Sequence, residues 1–172
     1  MATVKKVDLY ANVAALQVTE SAAGTLTAEK FAFPFSIMDK MAILVSRLEY
    51  WPGDLNQLNG TGDYVLGGIT VSATPTDLRN QADPQVIDSF SLGRIDLGAA
   101  ATGLFVNMPW VKDFANLPGG GILLAPNPLY VAVKSSGAGG PMSLWVRMYY
   151  TYMQLATDEY WQLVESRRII SS

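Results

Sequence analysis

The sequence predicts an all-β protein: a single jelly-roll sandwich or barrel of about eight strands with a short C-terminal helix. Three observations carry this. Extended apolar segments separated by Gly- and Pro-rich turns recur along the chain without an internal repeat, and the strongest helical signal comes after Leu155. Long connections in the first half give way to tight spacing in the second, which suits a jelly roll better than an up-and-down meander. An immunoglobulin-like sandwich is the runner-up, weakened by the absence of its usual Cys and Trp hallmarks. The expected organisation is an N-terminal arm or edge strand over 1–24, the jelly roll over 25–155, and a helix and tail over 156–172.

In the first segment Val4, Val7, Leu9, Val13, Leu16 and Val18 stand among small polar residues, a spacing that suits an edge strand and also permits a short helix. Ser21 to Gly24 reads as a turn. From Thr25 to Phe35 the alternation of Phe31, Phe33 and Phe35 predicts the first barrel strand, with Pro34 ending it or holding it at an edge. Met41 to Trp51 is a strand partly covered on both faces, stopped by Trp51-Pro52-Gly53-Asp54 and followed by a polar loop over Asn56–Asp63. Tyr64 to Ala73 resumes the sheet, and its Gly67-Gly68 pair points to a bulge or a close backbone approach.

Thr74 to Pro84 reads as a surface loop that includes a turn of helix, and Val86 to Leu97 as a strand. Gly98 to Gly103 is a small-residue linker, after which Leu104, Val106, Met108 and Trp110 alternate as in a half-buried strand. Two long apolar segments, Ile122–Lys134 and Met142–Leu155, then flank Ser135 to Pro141 in a strand, turn, strand pattern. The second is the central strand, with Leu144, Val146, Met148, Tyr150 and Tyr152 on one side and Arg147 and Thr151 on the other. Past Leu155, Thr157 suits an N-cap, Asp158 and Glu159 the first turn and Arg167-Arg168 the last, with Tyr160, Leu163, Val164 and Arg167 on one face.

Composition restricts the function. Hydrophobic residues make up 49% and charged residues 16%, with 15 Gly and 9 Pro, a surface suited to burial in an assembly. The net charge of −3 and the scattered Lys and Arg leave no basic stripe for nucleic acid. No apolar run approaches the roughly 18 residues of a membrane span, and the chain reads as soluble. With no Cys and no His, disulfide scaffolds, thiolate nucleophiles, zinc fingers and imidazole-based triads are excluded.

The remaining chemistry favours structural roles. Gly119-Gly120-Gly121 lacks the Lys-Ser/Thr and the helix of a phosphate loop. Asp54 with Asp63, or Asp77 with Asp83, could collect Ca²⁺, but without the density of an EF-hand loop they read as solvated turn residues. A carboxylate-based glycosidase would draw on Glu49, Asp88 and Asp96, which nothing in the sequence brings together. Asn59-Gly60-Thr61 matches a glycosylation pattern and reads as a turn. Of the four Trp, Trp110 and Trp145 belong to apolar strand patterns, which leaves Trp51 and Trp161 as anchors for a contact surface or for sugar rings.

The stretch Gly119–Val133, the segment Leu144-Trp145-Val146-Arg147-Met148-Tyr149-Tyr150-Thr151-Tyr152 and the tail Asp158–Glu165 resemble the last strands and tail of single jelly-roll capsid proteins of small icosahedral viruses, most like coats of bacterial and archaeal viruses. The resemblance covers the layout from Thr25 to Arg168. It implies a non-enzymatic structural protein of the virion, self-assembled in the host cytoplasm without a cofactor. Its partners would be copies of itself and other capsid proteins. An Arg-rich genome-binding arm is missing, since 1–24 carries only Lys5 and Lys6; that implies a shell organised by protein contacts, around an internal membrane as one arrangement. The expected subunit-contact residues are Trp51, Tyr160, Trp161, Val164, Arg167 and Arg168, with no catalytic, cofactor or metal residue. The alternative is a carbohydrate-binding, lectin- or adhesin-like β-sandwich.

Overall fold

The computed structural model describes residues 5–6, 12–34, 39–60, 62–79, 83, 85–94, 109–125 and 128–170, with side chains for all but 5, 6 and 166–170. The elements are β1 (Lys5–Lys6), β2 (Asn12–Thr19), β3 (Thr27–Lys30), β4 (Met41–Pro52), β5 (Tyr64–Thr70), β6 (Val86–Gly93), β7 (Trp110–Asp113), β8 (Ile122–Leu124), β9 (Tyr130–Ser136), β10 (Ser143–Gln154) and the helix α1 (Thr157–Ile170). In the first sheet β10 and β4 are central, flanked by β1 and β2 on one side and by β7 and β8 on the other; the second sheet runs β3-β9-β5-β6.

The pairings nest. β5 pairs with β6, β4 with β7 and β8, β3 with β9, and β2 with β10, all antiparallel, as in one long hairpin. Two further ladders, β10 with β4 and β9 with β5, roll that hairpin into two facing sheets. This is a jelly roll, and ten strand pieces fill the eight predicted places because β1 with β2, and β7 with β8, each lie end to end along one neighbour.

Period-two patterning decides which side faces in. Leu144, Val146, Met148 and Tyr150 of β10 join Ile43, Val45, Leu48 and Tyr50 of β4 and Val65, Ile69, Val131 and Val133 of the second sheet in one buried cluster. At Gly67 a Cβ would collide with the Phe90 ring and with Leu144, so the pair of glycines in β5 serves close approach. The register shift in β5 comes later, between Ile69 and Thr70.

Several expectations are corrected. The Phe alternation is not a strand: β3 stops at Lys30, and Phe31 and Phe33 follow it as ring neighbours with centroids 5.9 Å apart, while Phe35 lies outside the described residues. The segment Ile122–Lys134 is two strands in different sheets, β8 against β4 and β9 between β3 and β5, the first ending at Leu124 and the second starting at Tyr130. Consequently β9 and β10 do not form a hairpin; the turn between them carries the chain from one sheet to the other. β5 ends at Thr70 and β6 at Gly93, earlier than expected. The linker 98–103 and the alternation at Leu104, Val106 and Met108 lie outside the described residues, and the strand there is seen from Trp110.

At that crossing, Glu20 is buried and its carboxylate accepts bonds from the Ser135 amide (2.6 Å), the Ser135 hydroxyl (2.8 Å) and the Met142 amide (2.9 Å). β3 is too short to reach Ser135, whose ladder partner in β3 ends at Thr27 with Val133. The carboxylate takes the place of that missing strand.

Candidate subunit-contact surface

The first sheet turns its second face outward, and the registers align its residues in rows. Gln17 of β2, Trp145 of β10 and Trp51 of β4 form one row. The next is Ala15, Arg147, Glu49 and Val111, and the third is Val13, Tyr149, Arg47 and Asp113. These residues are far apart in sequence, so only the sheet assembles them. Val13 is 54% exposed, Val111 44% and Trp145 42%, large values for apolar side chains on a sheet face.

Trp145 is held, although it is exposed. Its indole lies over Gly53, where a Cβ would run into the six-membered ring. Between Trp145, Trp51, Ala15, Leu16, Gln17, Val146 and Arg147 a groove of about 210 Å³ opens. Beside it, Glu49 has a side chain only 7% exposed, paired with Arg47 at 2.7 Å and with Arg147 at 3.7 Å. Arg47 also lies over the Tyr149 ring, 5.6 Å from its centroid. Contact with Tyr149 first, then with Glu49, holds the Arg147 guanidinium above its ordinary range. Trp, Tyr and Arg are the side chains most enriched at the centres of protein contacts.

The expected contact residues divide between this patch and a second one. Trp51 is in the groove. Tyr160 is 1% exposed, packed with Ala42 and Leu155 and flanked by Leu123, Leu163 and Val164, so it docks α1 on its own subunit and offers no outward surface. Burial, then the charge of Asp39, raises its phenol above the ordinary value. Val164 is half buried at that seam, Trp161 is exposed, and the side chains of Arg167 and Arg168 lie outside the described residues. Helix docking sits where β4 begins, and Trp51 where it ends, roughly 30 Å away at ~3.3 Å per residue. The helix begins at Thr157, so Ala156 occupies the N-cap; its amide donates to Glu159 at 3.2 Å, and the Thr157 hydroxyl accepts from Lys40 at 2.8 Å.

Trp145 is the residue that the sequence reading misplaced. Its apolar strand pattern points to the core, yet its parity with Arg147 places it on the outer face. That parity was the available signal. Trp110 is also exposed, while its ring stacks on Phe90 with centroids 6.4 Å apart.

The carboxylates do not converge. Asp88 accepts from the buried Tyr50 hydroxyl at 2.8 Å and lies 3.6 Å from Lys112, between the sheets, whereas Glu49 is on the outer face. Burial, then Asp88, raises the Tyr50 phenol well above its ordinary 10.0. Asp96 lies outside the described residues. Asp63 and Asp83 are buried rather than solvated: Asp63 accepts from the Gly60 amide, Asp83 from the amides of Asp77 and Gln85. Among the described residues no three acidic side chains group as a metal site.

No family model matches the chain. No curated protein matches it either. Among solved structures it is similar to Merkel cell polyomavirus VP1 as an unassembled pentamer, with TM-score 0.51, 7% identity, and coverage of 90% of this chain and 99% of that one. VP1 of the same virus in complex with disialyllactose matches with TM-score 0.47 and 10% identity, over 90% and 99% of the two chains. At such identities the likeness speaks for the jelly-roll fold alone. It gives no ground for a bacterial or archaeal origin.

Proposed function

We propose that the protein is a structural capsid subunit, a jelly roll that assembles with copies of itself into a virus shell. The observation that carries this reading is the outer face of the first sheet, where Trp145, Val13 and Val111 stand in water around an ordered Arg-Glu-Arg cluster. An isolated subunit gains nothing from exposing them, whereas an assembly buries them. The jelly-roll fold is compatible with this role. Light scattering after size exclusion, with electron microscopy of the peak, tests it: shells or discrete large oligomers are expected, and a monomer at every concentration overturns the reading.

A second reading has one specific observation in its favour. The groove between Trp51 and Trp145, rimmed by Gln17 and Arg147, offers indole walls to a sugar ring and polar groups to its hydroxyls. A glycan titration followed by Trp fluorescence, giving saturable binding by a permanent monomer, would decide for the carbohydrate-binding module.

A further inference from the structure

Resting on the assembly reading, we infer that a second copy of this chain packs face to face on the outer side of the first sheet. The two copies are related by a two-fold axis that runs along the strands between β10 and β4. A rotation about such an axis keeps each residue's position along the strand and exchanges the two central columns. Trp145 then meets Trp51 of the second copy, Arg147 meets its Glu49, and Tyr149 meets its Arg47, because those are the cross-strand partners in the register. Indole meets indole and cation meets ring in the outer two rows; in the middle row the guanidinium comes over a carboxylate only 7% exposed and already paired with Arg47 and Arg147 of its own chain, so it joins that cluster from above.

The alternative axis, lying across the strands through the Arg147 row, would keep the columns. It would set Arg147 against Arg147 and Glu49 against Glu49. Like charges facing each other at an interface cost several kcal/mol, so the charges select the first arrangement. The contact is isologous, with the same patch serving both copies, and aligned sheets pack within about 30° at roughly 10 Å.

The other sheet does not compete for this role over the stretch where its own chain covers it. The loop after β5 lays Leu78 on Leu66, Ala132 and Val86, all buried, and places Arg79 over the Tyr64 ring, 4.1 Å from its centroid. On the first sheet the described side chains of α1 pack at the end by Ala42 and Leu123. The stretch of β10 from Ser143 to Thr151, across four strand positions, is roughly 30 Å by 19 Å, or about 570 Å². A standard interface buries ~800 Å² per partner, so this contact holds a pair weakly and works as one of several in a larger assembly.

Charge reversal with mixing tests it. Arg147→Glu makes the patch acidic and Glu49→Arg makes it basic, and each variant alone is expected to self-associate at least about tenfold more weakly than the wild type in sedimentation equilibrium. Mixed one to one, the acidic patch of one meets the basic patch of the other. Association is then expected to return, as heterodimers in native mass spectrometry. A strain within the subunit would not be cured by mixing, so recovery speaks only for the contact. Folded variants that associate like the wild type, or a mixture that recovers nothing, overturn it. Should a reversal fail to fold, Trp145→Ala is expected to give the same loss of association, and unchanged association overturns the contact. A wild-type chain that stays monomeric at every concentration fails the assembly reading first. Assembly that survives every one of these variants leaves that reading standing and removes this face from it.

Discussion

Single residues carry more of this structure than their chemistry announces. Tyr50 is buried with its hydroxyl on Asp88, and burial, then that carboxylate, raises its phenol above the ordinary 10.0. A group whose folded value lies above its unfolded one stabilises fully below the unfolded value and loses that contribution as pH rises through the folded one. The thermal midpoint is therefore expected to fall as pH climbs past about 10, and Tyr50→Phe to fall less steeply over the same range. Glu20→Ala leaves two amides and a hydroxyl without their buried acceptor; a loss of about 2–4 kcal/mol in denaturant unfolding is expected. Gly53→Ala acts on the surface instead, pushing the Trp145 indole off its seat. Its expected signature is a shifted Trp emission and weaker association, with a stability change below about 1 kcal/mol for a site at the end of a strand. None of these three roles was legible in the sequence. Glu20 stands just before the Ser21–Gly24 turn with no pattern to single it out, and the Trp145–Gly53 contact joins positions that only the β10–β4 register brings together.

At the scale of elements, legibility followed the strength of the periodic signal. β4 and β10, long and strongly patterned, lie within a residue or two of where the sequence places them. β3 does not, because Phe31 and Phe33 alternate in the core while the Phe31 amide goes to Leu129 beyond the last paired residue. β8 and β9 read as one segment because apolar content runs on from Ile122 to Lys134, whereas the two strands pair in different sheets. The helix was legible in position and polarity, and its docking side shows in the burial of Tyr160. Tyr160→Ala is expected to cost about 3 kcal/mol and to lower the helical signal in circular dichroism while the sheet signal holds. Trp161→Ala, at an exposed site on the same helix, is expected to change stability by less than about 0.5 kcal/mol. If the helix end contributes to assembly, its effect appears in light scattering instead.

For the whole molecule, the jelly-roll architecture could be read because strand spacing and turn chemistry point to it, whereas the outer patch could not, since it draws on four strands remote in sequence. The order of pairing has one more consequence. Thr19 lies opposite Ser143 across the outermost ladder, and β10 also supplies the neighbour of β4 along its whole length. Contacts that close such long loops form slowly, and β10 leaves the ribosome after every other strand among the described residues. A nascent chain lacking it has neither Trp145 nor Arg147 in place beside Trp51 and Glu49. Were the face-to-face contact of the proposal to form, its patch would exist only once the fold is complete, which would separate translation from joining by a timer written in topology.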